Sequence, residues 1–151
     1  MYENYGEQLK QQIIERHLVV KALKGCTERE IEQIRQSQGV DYIPEVYRQF
    51  LLAVGNSIGG VIYKGTDYNY RYLLRLKEWA EGIVSGLPNS PELPPDAFVF
   101  VMHQGYIFFF FRTFGRNDNP PVYSYFEGDA EFELLDQSLT EYYEALVTRK
   151  W

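Results

Sequence analysis

The sequence predicts a single α+β domain in which a mostly antiparallel sheet packs against helices. Residues 27–55 contain two helical segments with apolar stripes and recognisable end signals. Residues 97–126 contain three runs of β-branched and aromatic residues separated by turn-forming residues. Helices grouped before and after a set of strands are typical of α+β proteins. A chain of 151 residues has the length of one domain, so we expect residues 1–151 to share one core.

The first helical segment begins with a capping box. Thr27 and Glu30 are spaced so that their side chains accept hydrogen bonds from free amides at a helix N-terminus. Ile31 and Ile34 follow at helical spacing. Gly39 stands where a left-handed residue would end the helix. We therefore expect a short helix with one buried face.

The second helical segment begins at Pro44, because proline suits the first position of a helix. Its apolar residues recur at helical spacing and form one stripe, and Gly55-Asn56 closes the segment. The residues of the stripe are Tyr47, Phe50, Leu51 and Val54. Both segments therefore present apolar faces, which we expect to cover a sheet further along the chain.

Three more helices are predicted. The first is an N-terminal helix from about Glu7 to Leu23, with Leu9, Ile13, His17 and Val20 on one face. Another runs from Leu73 to Val84, with Leu73, Leu76, Ala80 and Ile83 on one side and Trp79 close by. A C-terminal helix follows the capping box Ser138–Glu141 and ends near Arg149-Lys150. Its apolar residues are Leu139, Tyr142, Tyr143 and Leu146. The proline-rich stretch 86–95 is expected to be a surface loop.

The strands are predicted from runs of apolar residues between turns. Val61-Ile62-Tyr63 is expected to form a short strand, and Val122–Phe126 a longer one. Ala97–Arg112 is expected to form a hairpin that turns at His103-Gln104-Gly105. Its second strand, Tyr106–Phe111, is apolar throughout and must be covered on both faces. The capped helices can cover one face. The N-terminal helix, nearby tyrosines or the second subunit of a homodimer can cover the other.

Charge and composition limit the kind of partner. A net charge of −6 argues against nucleic acid or an anionic membrane, since both attract Lys and Arg. It favours a basic protein partner, although acidity also simply keeps a protein soluble. The single cysteine, Cys26, fits a reducing compartment. The polar N-terminus does not resemble a signal peptide, so we expect a soluble cytoplasmic protein.

No motif in the sequence carries catalytic, cofactor or metal chemistry. Cys26, His17 and His103 have no neighbouring partner that would make a nucleophile or a general base. Gly59-Gly60 is not followed by the residues of a phosphate-binding loop. The acidic and amide residues around Asp118 lack the spacing of a calcium-binding loop. We expect no catalytic residue, no cofactor and no metal.

Two clusters are candidates for contact with a protein partner. The first comprises Asp67, Tyr68, Tyr70, Arg71 and Tyr72. Aromatic residues and arginine are enriched at the centres of interfaces. The alternative is that these tyrosines merely edge the core.

The second cluster comprises Glu127, Asp129, Glu131 and Glu133, which recur at every second residue. If this segment is extended, the four carboxylates share one face. Such a strip is typical of a solvated edge, and it also suits a basic partner. A hydrolase with paired carboxylates is the third interpretation.

The pattern of residues 25–149 resembles the SUKH superfamily, which is named partly for a fungal cell-wall regulator and includes bacterial toxin-immunity proteins. The residues that carry the resemblance are Thr27, Glu30, Ile31, Ile34, Ile43, Pro44, Tyr47, Phe50, Leu51 and Gly55. The order of the later elements is also similar: a middle helix, paired strands, a further strand and a C-terminal helix. Residues 1–24 precede this region as the N-terminal helix.

The resemblance implies an immunity protein that blocks a cognate toxin, often a nuclease, by stoichiometric binding. It also leaves open an interaction scaffold like the fungal regulators. A carboxylate-based hydrolase is the remaining alternative.

Overall fold

A computed structural model describes residues 1–16, 22–62 and 64–148. These residues form six helices and a five-stranded antiparallel sheet, which confirms the α+β class. The strands lie in the sheet in the same order as in the chain. The elements are α1 (Tyr5–Glu15), α2 (Glu28–Gln38), α3 (Glu45–Val54), β1 (Thr66–Asp67), α4 (Tyr70–Leu73), α5 (Leu76–Ser85), β2 (Ala97–His103), β3 (Ile107–Arg112), β4 (Val122–Phe126), β5 (Glu133–Asp136) and α6 (Leu139–Thr148).

The end signals of α2 are confirmed. The backbone N–H of Thr27 donates to Glu30 Oε1 at 2.9 Å, and the N–H of Glu30 donates to Thr27 Oγ1 at 3.1 Å. Gly39 ends the helix with φ of 64°. In α3, Pro44 is the N-cap, so the helix begins one residue later than predicted. The predicted stripe of α3 is buried.

The polar loop before β4 caps two helices. The N–H of Glu45 donates to Asp118 Oδ1 at 3.2 Å, and the N–H of Val46 donates to the Asp118 carbonyl at 3.1 Å. The N–H of Thr140 donates to Asn119 Oδ1 at 3.0 Å. These adjacent residues therefore satisfy amides at the N-termini of both α3 and α6.

The N-terminal helix is shorter than predicted at its C-terminal end. α1 ends at Glu15, and Leu23 is not helical, while His17 and Val20 lie outside the described residues. The face carrying Leu9 and Ile13 is buried. Gly6 lets α1 approach α3 closely, because a Cβ there would lie 2.3 Å from the Gln49 carbonyl oxygen.

The predicted strand at Val61-Ile62 is wrong. Both residues lie in a bend, and Tyr63 lies outside the described residues. Val61 is fully buried, so its apolar character serves the core rather than a strand. The first strand is instead Thr66–Asp67, which pairs with His103 and Met102 at the end of β2.

The last two predicted helices also differ in detail. The segment from Leu73 to Val84 is two helices, because the chain bends at Leu74-Arg75 between α4 and α5. At α6 the N–H of Glu141 donates to Ser138 Oγ at 3.2 Å. The Glu141 carboxylate, however, accepts from the N–H of Gln137 at 3.1 Å, so the capping box is shifted by one residue. Arg149-Lys150 lies outside the described residues.

The hairpin at the centre of the sheet is confirmed. β2 pairs with β3, and the turn places Gln104 at φ 51° and Gly105 at φ 78°. Left-handed residues at both central positions match the twist of a hairpin.

Helices cover one face of this hairpin with an aromatic core. The Tyr47 ring of α3 lies 5.0–5.7 Å from the rings of Phe98, Phe100 and Phe111. Phe50 stacks on Tyr143 of α6 at 4.5 Å, which brings the C-terminal helix onto the same face. Aromatic pairs of this kind stabilise by about 0.5–1.5 kcal/mol beyond the area that they bury.

The opposite face is covered by α5 and the proline-rich loop, not by the N-terminal helix. Met102 pairs with Phe108, which in turn pairs with Tyr125, so these side chains share this face. Tyr125 Oη lies 3.2 Å from Ser90 Oγ in the loop. Both faces of the apolar strand are therefore covered within the chain.

The side chain of Gln38 closes the edge of β2. β1 is too short to pair with the first half of β2, and the register shifts between Val99 and Val101. Gln38 Nε2 donates to the Val99 carbonyl at 2.9 Å, and the N–H of Val99 donates to Gln38 Oε1 at 3.0 Å. The same Nε2 donates to the Leu73 carbonyl at 2.9 Å. The amide therefore pairs with the strand as a neighbouring backbone would.

Lys77 extends this buried network. Its ammonium donates to the carbonyls of Gln38 and Pro95 at 2.6 and 2.5 Å. The network thus joins the C-terminal end of α2, the end of α4, α5 and β2.

Replacing Gln38 with the similarly sized Met should destabilise the fold, because Val99 would keep a buried N–H and C=O without partners. Each such group costs about 1–3 kcal/mol, so we expect a loss of at least ~2 kcal/mol in the free energy of unfolding. Urea unfolding measures it. Gln36→Met on the exposed side of α2 is the control, with an expected change below ~0.5 kcal/mol. Equal stabilities of the two variants would contradict this role of Gln38.

An ion pair between Asp96 and Arg112 joins the two strands of the hairpin at the end away from the turn. The Arg112 guanidinium donates to both carboxylate oxygens of Asp96 at 2.6–3.0 Å. The N–H of Phe114 donates to Asp96 Oδ2 at 3.0 Å. The hydrogen bonds from Arg112, supported by that amide, lower the pKa of Asp96 to about 2.

Asp96 should therefore make stability depend on acid pH. In the folded protein the pKa of Asp96 lies below the ordinary value of about 3.9. Its contribution to the free energy of unfolding is therefore complete above about pH 3.9 and is lost as the pH falls toward about 2. Wild type should be more stable than Asp96→Asn at pH 5–7, and the difference should disappear near pH 2. Urea unfolding at each pH measures this difference, and Glu92→Gln in the exposed loop serves as the control. A difference independent of pH would contradict the assignment.

Candidate partner-binding site

An acidic groove lies between α5 and the end of the sheet where β1 meets β2. Its volume is about 560 Å³. Apolar side chains line its floor, namely Trp79, Ile83, Leu87 and Met102. Three carboxylate residues also line it, namely Asp67, Glu78 and Glu127. Backbone at Gly82, Gly86 and Gly105 completes the lining. No lysine or arginine of the described residues is among those that line the groove.

Local structure explains how these residues meet. The buried stripe of α5 carries Leu76 and Ala80 toward the core, which leaves Trp79 on the flank of the helix. Pairing of β1 with β2 sets Asp67 opposite Met102. The N–H of Glu127 donates to the Tyr106 carbonyl at 2.9 Å, which holds the turn after β4 beside the central hairpin.

Asp67 is a half-buried carboxylate without a hydrogen-bond or ion-pair partner among the described residues. Burial raises its pKa above the usual value. An ionised carboxylate that has lost part of its hydration and faces no cation is stabilised by any cation that enters the groove. Glu78 differs, because Arg75 pairs with it at 3.2 Å on the exposed side of the helix.

The first predicted contact cluster is divided by the fold. Tyr68 Oη accepts from the N–H of Ile58 at 3.0 Å, and Tyr70 Oη donates to Gln33 Oε1. These two tyrosines therefore bond other segments of the chain, and both are partly buried against the core. Arg71 and Tyr72 are exposed, and the Tyr72 ring lies 6.4 Å from that of Trp79. Asp67 and Tyr72 are thus the members that lie in or beside the groove.

The second predicted cluster is not an extended strip. Glu127 and Gly128 form a turn, in which Gly128 has φ of 98° and the N–H of Asp129 donates to the Phe126 carbonyl at 2.9 Å. The strand begins only at Glu133. All four carboxylates are exposed, and Glu127 is the one that lines the groove. Alternation alone could not reveal the turn, because glycine permits a left-handed backbone wherever the fold needs it.

Sequence reasoning missed Glu78 and Met102 as members of a site and did not connect Trp79 with one. Trp79 carried a usable signal, because it stands beside the apolar stripe of its helix rather than within it. Met102 carried none, since it reads as an ordinary strand residue. The groove depends on contacts between segments that are far apart in the chain.

The environment of Cys26 disfavours a reactive thiolate. Burial raises the pKa of the Cys26 thiol to about 12, and Glu30 adds to the shift, so the thiol is protonated at neutral pH. His103 Nδ1 lies 2.7 Å from Thr66 Oγ1. His17 lies outside the described residues.

In the part of the chain that the structure describes, no three His, Cys, Asp or Glu side chains are grouped to hold a metal. None of its helices has the length and apolar character to cross a membrane.

The environment of Asp67 can be tested by titration. Carboxyl-carbon NMR should give Asp67 a pKa above the ordinary value of about 3.9, because the groove removes part of its hydration. Trp79→Ala should open the groove to water and bring the pKa back toward that value. Asp129 on the exposed turn is the internal reference. A wild-type Asp67 pKa at or below the ordinary value would contradict the described burial.

Comparison with known protein families gives a match over most of the chain. The model of the SMI1 / KNR4 family (SUKH-1) matches residues 25–145, from the residues before the capping box of α2 into α6. Neither the curated proteins nor the solved structures contain a match. Because the matched region covers most of the chain, including the sheet and the groove, this protein belongs to the SMI1 / KNR4 (SUKH-1) family.

Proposed function

We propose that this protein is an immunity-type binding protein that neutralises a cognate toxin by stoichiometric binding rather than by catalysis. The acidic groove with its apolar floor is the observation that carries the proposal. Family membership supports it, since the SUKH resemblance implies immunity proteins as well as regulators.

The groove favours a basic side chain as its occupant. The aliphatic stem of an arginine or lysine packs on Trp79 and Met102, and its charged head approaches Asp67 and Glu127. Arg75 already lies over the Trp79 ring, 5.5 Å from its centroid, so the head gains from the carboxylates rather than from that ring. Asp67 contributes to this binding, because a cation beside it offsets the partial loss of hydration that raises its pKa.

Binding of a basic side chain in the groove explains how this protein inhibits a toxin. A toxin that acts on nucleic acid exposes Lys and Arg where it binds its substrate. An acidic protein seated on that surface excludes the substrate without any chemical step. The net charge of −6 also accelerates encounter with such a toxin by electrostatic steering.

The direct test is co-expression with the protein encoded next to this gene. We expect that protein to arrest growth alone, this chain to restore growth, and the two to purify as a complex in constant proportion. A neighbouring protein that is neither toxic nor bound would contradict the proposed function.

Charge-reversal variants test the proposed site separately. Glu78→Lys with Glu127→Lys should abolish protection, whereas Glu15→Lys with Glu92→Lys changes the net charge equally at exposed positions outside the groove. Thermal unfolding confirms that both double variants fold. Protection kept by the groove variant and lost by its control would place the contact elsewhere while leaving the proposed function intact.

A further inference from the structure

The sheet ends in two edge strands, of which β5 is the longer. At the other edge, β1 and the Gln38 amide pair with β2. β5 is the last strand and pairs with β4 on one side only. Its two leucines, Leu134 and Leu135, are 49% and 42% exposed. An edge strand with open backbone groups and exposed leucines is suited to pair with a further strand.

The side chains beside this edge form an apolar row. Leu134 lies opposite Tyr123, and Tyr123 lies opposite Phe110, so the three share one face of the sheet. Phe132 covers the inner part of the row, with its ring 4.9 Å from that of Phe110. Phe132 therefore covers the row on the side of the core, whereas its outer end at Leu134 is exposed to solvent. A strand added there would place an apolar side chain beside Leu134.

The charge around β5 identifies the partner. Residues 117–148 contain no lysine or arginine. The carboxylates that lead into β5 are Glu127, Asp129, Glu131 and Glu133, and all four are exposed. None of the ion pairs within the described residues joins Glu131 or Glu133 to a cation. The edge is therefore strongly negative and open to a positively charged strand.

A second copy of this chain does not suit the edge. Antiparallel pairing of β5 with itself would bring Glu133 of each copy close to Asp136 of the other. Like charges directly opposite each other destabilise a sheet. The same carboxylates protect the edge against self-association, and they attract a strand of opposite charge.

We propose that β5 binds an extended segment of a protein partner, with lysine or arginine alternating with apolar residues, as a sixth strand of the sheet. The backbone of the segment pairs with β5, its apolar residues lie beside Leu134, and its cations face Glu131 and Glu133. The edge is a second contact surface, separate from the groove, and it does not require the partner to be a toxin.

The probe is a short synthetic peptide of alternating lysine and valine with blocked ends, added to the full chain. Backbone NMR should show shifts within residues 133–135 and slower exchange of the amides there that point away from β4, since strand pairing protects open N–H groups. The same peptide with alternate N-methylated nitrogens cannot pair along its edge and should not slow this exchange. Equal effects of both peptides, or no slower exchange at these residues, would overturn the proposal.

Variants separate this surface from the groove. Glu131→Lys with Glu133→Lys should weaken peptide binding roughly tenfold, as two exposed ion pairs would be lost. Glu15→Lys with Glu92→Lys is the matched control and should bind within about twofold of wild type. Asp67→Asn in the groove should also leave peptide binding unchanged, even if no toxin is found. Binding that depends on Asp67 and not on Glu131 and Glu133 would assign the peptide to the groove and overturn the proposal.

Discussion

The side-chain amide of Gln38 supplies the hydrogen-bond partners that the short strand β1 does not give to Val99 of β2. β2 lies next to the end of the sheet, and its short neighbour β1 leaves Val99 without a backbone partner on that side. A primary amide offers a donor and an acceptor in nearly the arrangement of a peptide group, so Gln38 pairs with both groups of Val99. Gln38 is 1% exposed, and in that environment an unpaired backbone group is costly. The helical and sheet parts of the domain are thereby fixed to each other.

The groove follows from this arrangement. Lys77 of α5 donates to the Gln38 carbonyl, so the helix is held against the same edge of the sheet. With α5 held there, Trp79 and Met102 line the same groove, and the pairing of β1 with β2 brings Asp67 to it. The aromatic core on the opposite face makes the sheet a rigid support. A binding surface on such a support loses little entropy when it meets a partner.

Local signals predicted much of the fold and little of the site. The capping box at Thr27, the cap at Gly39 and the strand Val122–Phe126 appear where the sequence indicated, because each depends on neighbouring residues. Gln38 reads as a surface residue, since its partner Val99 is 61 positions away. The groove likewise joins four distant segments. The acidic strip required an extended segment, and that condition is not met, because a turn at residues 127–128 interrupts the alternating pattern.

A crystal structure of this chain in complex with the proposed cognate toxin would show whether the groove is the contact site. We expect an arginine or lysine of the toxin in the groove, with its stem against Trp79 and Met102 and its charge beside Asp67. A complex that leaves the groove filled with solvent, with the toxin seated on the helices α1 and α3, would contradict it.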